Sequence, residues 1–511
     1  MSPLSRGETV IFMAEQTVTA EKEIIDYCSE KSILVSPQAL GMLAEQKEYR
    51  KIIDELAAEN IFVLNEGNLR EKILKKKASL FEPTNVVVKG FSFHPLASEV
   101  GPHCRVLQEL DMSAANRANG KIADFLEMFR DKFEFLSELL KKRQNLEAKP
   151  ISRLLKTTKN NDITVCGLVF KKWVSKKGHA VIELEDTEAR CLALFMKNDR
   201  KAFELSKHVC LDDVIAVKGK KISDDMIVCT EVHWPDMPIT PPRTSQRDLN
   251  MLVTSDIHVG SKLFLEKEFQ TFLAWLLGKS QNEKEREEIG KIKYLFICGD
   301  NVDGIGVYPD QYDELEIKDI FEQYDVLCDY LKQIPEYIET FIIPGQHDAV
   351  RRADPQPGVP KKFLKGIEGC NNIHFVGSPS WIEIEGLKAM LYHGASLHDL
   401  YATVPGLDYA KPEEAMALLL KRRDLMVSYG AKQPYVPERK DLMVIRHEPD
   451  FYLGGDMHKN GYLQYRGCSV INAGTWQSRT DFQVQQGQVP TPGIAVQVSL
   501  NTRKISEKRF V

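Results

Sequence analysis

The chain has 511 residues, more than one hydrophobic core holds, since domains run about 50–250 residues; two or three domains are expected. With 43% hydrophobic and 28% charged residues, the composition excludes the collagen, disordered and coiled-coil classes. A formal net charge of -5 excludes nucleic-acid attraction by overall charge, so any such contact must come from local basic patches.

The ten cysteines are scattered singly with no CxxC spacing, and the opening "MSPLSRGETVIFMAEQTV" lacks the uninterrupted apolar core of a signal peptide. Reduced thiols and a cytoplasmic location are expected. No apolar run approaches the roughly 18–20 residues that cross a bilayer, so no membrane span is expected.

From Thr19 to Leu80 the apolar residues, Ile24, Leu40, Leu43, Ile52, Ile53 and Leu56 among them, fall mostly at helical spacing. Pro37 suits a first turn after Ser36. A small helical domain over residues 1–80 is expected, with the run "EKILKKKASL" at its end as a solvated helix face rather than a phosphate contact. Residues 81–112, rich in Pro, Gly and polar residues, hold neither period for long and read as a linker. Lys121 to Arg143 resume a helical beat, with Ile122, Phe125, Leu126, Phe129, Phe133, Leu136 and Leu140 on one stripe, which predicts a helix packed on a neighbouring domain.

Between Asp162 and Trp234 the texture changes to short alternating runs joined by tight polar turns such as Lys176-Lys177-Gly178. This predicts an OB-like β-barrel, with the preceding helix completing a domain over 113–240. Lys171 and Lys172 stand beside Phe170 and Trp173, the mix of cations and aromatics used for single-stranded DNA, although such barrels also serve as protein docking surfaces. The proline-rich "WPDMPITPPRTSQRD" then leads to a last domain over 245–511.

From Leu249 onward buried-strand runs alternate with helical stretches, the sign of an α/β layered fold. Five apolar runs stop at chemistry: "LNMLVT" at Ser255-Asp256-Ile257-His258, "YLFIC" at Gly299-Asp300-Asn301, "ETFIIP" at Gly345-Gln346-His347-Asp348, "AMLY" at His393-Gly394, and "DFYL" at Gly454-Gly455-Asp456-Met457-His458. A lone Asp or His after a strand is usually a turn former. Five together, four with an adjoining Gly, point instead to convergence, because ligands in open α/β folds gather beyond the carboxyl ends of the strands. Mixed oxygen and nitrogen donors suit Mn²⁺, Zn²⁺ or Fe, and bridging carboxylates hold two ions in the geometry for phosphoester hydrolysis. His374, His398 and His447 follow no such pattern and read as ordinary histidines.

The series "SDIH", "GD", "PGQHD", "YHG" and "GGDMH" resembles the calcineurin-like metallophosphoesterase superfamily, whose usual forms are DxH, GD, GNH[DE], a single His and GHxH. The domain order, with "SDIHVGS", "DGIGVYPDQ", "PGQHDAVRR", "PQP" and "INAGTWQSRTDFQ", resembles more closely the small-subunit family of archaeal family-D DNA polymerases, over roughly Ser113 to Pro492. The resemblance implies a multidomain chain: an α N-terminal domain, an OB-like β-barrel, and an α/β calcineurin-like phosphoesterase domain built as a layered β-sandwich with flanking helices. It also implies a metal-dependent 3′ to 5′ proofreading exonuclease on single-stranded DNA 3′ ends. Its partner is a large catalytic polymerase subunit, with the sliding clamp a further candidate.

Carried over by position, Asp256, His258, Asp300 and His458 hold one metal, while bridging Asp300, Gln346, His393 and Asp456 hold the second. His347 acts on the transition state or the leaving oxygen, and Lys262, Arg351 and Arg352 steer the phosphate backbone. The chain departs from the pattern twice, with Gln346 where Asn is usual and Asp456 where the first His of GHxH is usual. The second exchange shifts preference from Zn²⁺ toward Mn²⁺ or Mg²⁺. Every site position keeps an oxygen or nitrogen donor, which favours an active nuclease over a scaffold that only docks the polymerase. A stand-alone phosphatase would leave the barrel unexplained.

Overall fold

The computed structural model describes residues 22–44, 49–58, 61, 63–65, 69, 93–112, 120–143, 146–438, 440–485 and 487–511. It divides into two compact units, residues 1–92 and 93–511.

In the first unit, helices Pro37–Ala44 and Tyr49–Ala58 bury Ala39, Leu43, Ile52, Ile53 and Leu56, and a short parallel pair joins Leu34–Val35 to Val63–Leu64. Amphipathic spacing places each of these side chains on a single helix face, and packing of that face supplies most of the stability of helices this short. The basic run at 71–80 lies outside the described residues.

The second unit holds a five-stranded closed barrel and two six-stranded sheets. The barrel follows Asp162–Val174, Ala180–Glu185, Arg190–Phe195, Met226–His233 and Val214–Lys221 around its circumference. Alternation along each strand fills its interior with Val165, Ile182, Leu184, Ala193, Ile215 and Ile227. Helix Ile122–Lys141 sets Leu136 and Leu140 against the barrel residues Cys166, Leu168 and Val214. Its stripe does not stay buried: Ile122 is 89% exposed, and Phe125 and Phe129 rest edge-on against Tyr429.

One sheet runs Ile373–Phe375, Glu339–Ile343, Ile292–Cys298, Asn250–Thr254, Ile494–Ser499, Ile505–Arg509, the first four strands parallel. The other runs Gly461–Tyr465, Cys468–Asn472, Phe451–Gly454, Leu387–Leu391, Ser380–Ile384, Cys104–Val106, with Cys468–Asn472, Phe451–Gly454 and Leu387–Leu391 parallel. The inner faces share a core that includes Val253, Phe296 and Phe341 from one sheet and Ile382, Leu391 and Leu453 from the other. Helices Glu266–Leu276 and Ile320–Leu331 cover the outer face of the first sheet, and Leu397–Thr403 and Pro412–Arg422 that of the second. Strands buried on both faces explain the continuous apolar runs.

The expected linker over 81–112 needs correction. Residues 93–112 belong to the second unit, where Cys104–Val106 pairs with Ser380–Ile384 as an edge strand and Leu107 and Leu110 enter the core. A three-residue strand is too short to show a period. All ten cysteines are free thiols, and among the described residues no helix is long and apolar enough to cross a membrane.

Candidate metal centre

Parallel pairing sets the carboxyl ends of Asn250–Thr254, Ile292–Cys298 and Glu339–Ile343 side by side, and likewise those of Leu387–Leu391 and Phe451–Gly454. Backbone hydrogen bonds stitch the turns beyond them: Asp256 N to Gly299 O, His258 N to Asp300 O, Gly455 N to His393 O. Asp256, His258, Asp300, Asp456 and His458 all adopt left-handed backbone, with φ between 48° and 65°. Such conformations cost non-glycine residues on the order of 1–3 kcal/mol each and persist where the surroundings over-determine them. Two glycines make the approach close enough. A Cβ on Gly345 would lie 2.2 Å from Asp300 Oδ1, and one on Gly455 only 1.9 Å from Ser255 Oγ.

The donors meet around Asp300. Its Oδ2 lies 3.3 Å from His393 Nε2, 3.9 Å from His258 Nε2 and 4.0 Å from His347 Nε2. On one side His258 Nε2 and Asp256 Oδ1 each lie 3.2 Å from His458 Nε2. On the other, Asp456 Oδ1 lies 3.6 Å from His393 Nε2 and accepts from Gln346 Nε2 at 3.2 Å. Three triads have donor atoms within 4.8 Å of one another: Asp256 with His258 and His458, Asp256 with Asp300 and His393, and His258 with Asp303 and His347.

Further contacts aim the rings. His393 Nδ1 donates to Cys298 O at 2.7 Å and His347 Nδ1 to Asp303 O at 2.7 Å; a carbonyl only accepts, so each Nδ1 carries its hydrogen and each Nε2 is the atom turned to the cluster. His258 Nδ1 meets Asp303 Oδ1 at 2.9 Å, and Gln483 Nε2 lies 2.8 Å from His458 Nδ1. Asp303 is itself held by Gln311 and Gln477. The segment "GTWQ" braces the first turn, since Thr475 Oγ1 and Trp476 N both donate to Asp256 O.

The electrostatics describe a buried site that attracts positive charge. Burial raises the Asp300 carboxyl, but His393 and His347 outweigh it and hold the group well below the usual range. Burial lowers His258, yet Asp303, Asp300 and Asp256 push it up to about 9. His393 is likewise carried well above its ordinary value, mainly by Asp300 against the pull of burial. Asp256 Oδ1 and His393 Nε2 are buried without hydrogen bonds, the signature of atoms a cation would satisfy. The residues therefore fit a divalent ion or a pair of them.

The remaining expected site residues sit differently. Lys262 Nζ donates to Asp313 O, Arg351 to Pro355 O and Glu438, and Arg352 to Val307 O. In the barrel, Lys172 Nζ is turned inward to Lys207 O and Val209 O, so it caps a helix end rather than facing a ligand. Lys171 stacks over Phe170, and Trp173 is half-exposed. Four groups at the site fell outside the sequence reading: Asp303, Gln477, Gln483 and His398, whose Nε2 lies 3.1 Å from Asp456 Oδ2. Asp303, Gln477 and Gln483 stand inside the segments "DGIGVYPDQ" and "INAGTWQSRTDFQ", which carry the resemblance without marking these side chains.

Two layered sheets with aspartates and histidines converging at their strand ends define an α/β domain with a candidate metal centre beyond its strands. The family model for the DNA polymerase alpha/epsilon B-subunit matches residues 251–461. The DNA polymerase II small subunit of Methanocaldococcus jannaschii is 38% identical over 414 residues, 81% of this chain and 69% of that protein. That of Methanothermobacter thermautotrophicus is 31% identical over 489 residues, 95% of this chain and 99% of that protein. Among solved structures, wild-type Vps29 in complex with zinc from Entamoeba histolytica aligns at a TM-score of 0.24 and 16% identity, covering 52% of this chain and 100% of that one. The chain belongs to the family of archaeal DNA polymerase II small subunits.

Proposed function

We propose that this chain is the small subunit of a replicative archaeal DNA polymerase, and that its α/β domain is a calcineurin-like phosphoesterase hydrolysing DNA phosphodiesters from the 3′ end. The observation that carries the reading is the convergence of Asp256, His258, His393 and His458 about Asp300, with ring nitrogens aimed inward. Asp256, His258, Asp300 and His458 would hold one divalent ion, and Asp300, Gln346, His393 and Asp456 a second. The ions, when bound, supply an acidic water and a clamp on the phosphoryl oxygens. Mn²⁺ suits the donor set best, because Asp456 adds a third carboxylate to the set.

His347 is the residue proposed to move the proton. Its Nδ1 is committed to the Asp303 carbonyl, which leaves Nε2, at the rim of the cluster, to hold a proton for the departing 3′ oxygen. The five-stranded barrel is read as an OB-fold, with Lys171 and Trp173 offered to single-stranded DNA and the rest of its surface to the large catalytic subunit. The polymerase site belongs to that larger chain.

The test uses the purified chain, alone and with its large subunit, and labelled single-stranded DNA with Mn²⁺. The wild type should shorten the strand from its 3′ end, and His347→Ala should stop it while bound Mn²⁺ is unchanged. No shortening by the wild type in either form would leave a scaffold subunit. Hydrolysis of a small phosphomonoester with none of DNA would assign a phosphatase instead.

A further inference from the structure

Position 456 is where this chain departs most from its superfamily, and the structure brings an additional imidazole to it. Asp456 faces two ways. Its Oδ1 lies on the side of Gln346 and His393, at 3.2 and 3.6 Å, while its Oδ2 lies 3.1 Å from His398 Nε2. His398 Nε2 stands within hydrogen-bonding distance of Oδ2, an oxygen otherwise without a partner, although the ring is not aligned on it. His398 comes from a different element, the first turn of helix Leu397–Thr403.

That helix is anchored on all sides. Leu397 and Leu400 are buried in the core of the second sheet, Leu397 N donates to Gly394 O, and Asp399 accepts from Lys432 N and Gln433 N. The backbone of His398 is thus held beside the strand end that carries Asp456, with the side chain partly exposed. A carboxylate at 456 is shorter than an imidazole and turns about its own bonds, so as a ligand it needs a second partner to keep one oxygen facing the ion.

We infer that His398 is a positioning residue for the second metal: it holds Asp456 Oδ2 so that Oδ1 points at the ion. The inference rests on the proposed metal centre and adds a residue to it.

The experiment counts and weighs Mn²⁺ on the full chain, by titration calorimetry and by the electron paramagnetic resonance of coupled manganese pairs, without reference to DNA. The wild type should bind two ions. His398→Ala should weaken the second about 10- to 100-fold, leave the first unchanged and abolish the coupled-pair signal. His398→Gln, which keeps an N–H within reach, should restore much of the loss. In an Asp456→His background, His398→Ala should change nothing. Two ions bound by His398→Ala as tightly as by the wild type, or an equal weakening of both, would overturn the inference and leave the metal centre standing. A wild type that binds no pair would overturn the metal centre itself.

Discussion

His258 and His458 approach nitrogen to nitrogen, their Nε2 atoms 3.2 Å apart, although they arrive from the ends of strands in different sheets. A shared cation would relieve that approach and tie the two sheets together. Divalent metal is therefore expected to stabilise the fold: at 100 times the dissociation constant the contribution is about 2.7 kcal/mol, read as a rise of a few degrees in the thermal midpoint with Mn²⁺ over chelator. Asp300→Asn should cancel most of the rise. A midpoint indifferent to Mn²⁺ would count against the centre.

Asp303 holds the far side of the His258 ring. Asp303→Asn keeps the shape and removes the charge, so the affinity of the first ion should fall by about 10-fold or more. Competition with a chelating dye measures it. The change should leave the second ion, which Asp303 does not touch, unaffected.

Gly345 has no room for a side chain beside Asp300 and His393. Gly345→Ala should therefore displace the Asp300 carboxylate and abolish paired metal binding, while circular dichroism stays that of the wild type. Normal metal stoichiometry in this variant would show that Asp300 is not where the ions meet.

Arg422 and Asp213 form a buried ion pair between the barrel and the helix Pro412–Arg422, with Nε to Oδ1 at 2.6 Å; Asp213 also accepts from Trp234 Nε1 and Cys210 N. Arg422→Met leaves the buried carboxylate with two neutral donors and no counter-charge. A loss of about 3–5 kcal/mol is expected in denaturant titrations, the ordinary effect of removing one partner of a buried pair. A loss below about 1 kcal/mol would mean that water reaches Asp213.

Lys132, 2% exposed, is paired with Asp424 where Asp441 is also buried. Burial and the Asp424 charge push the Asp441 carboxyl up to about 6. The native state thus binds this proton more tightly than the unfolded chain, whose carboxyl titrates near about 4. The stabilising contribution is complete below about pH 4 and disappears as pH rises through about 6. Asp441→Asn, which retains the acceptor for Met443 N, should be more stable than the wild type at pH 8 and lose that advantage at pH 4. Urea midpoints at the two pH values decide it.

The five strand ends were legible because a parallel strand buried on both faces writes itself as an unbroken apolar run, and the polar residues at its end stand out against it. Asp256, His258, Asp300, His393 and His458 could be assembled from that signal alone, and the barrel's alternation was equally plain. The groups behind them were not. Asp303, Gln477 and Gln483 lie in turns and a short helix with no period, and their importance arises from where the chain returns in space. His398 looked ordinary because nothing in "SLHDL" says that its helix begins beside Asp456. The helix stripe was right in period and wrong in extent, since Ile122 and Leu126 run past the surface that covers the rest.

The short strand Cys104–Val106 has a practical consequence for anyone dividing the molecule. A chain begun at residue 113 would strip the sheet of its border and leave the backbone groups of Ser380–Ile384 open to any neighbouring polypeptide, an invitation to insoluble aggregates. Expression of the larger unit on its own should begin at or before Phe93, where the natural hem is retained.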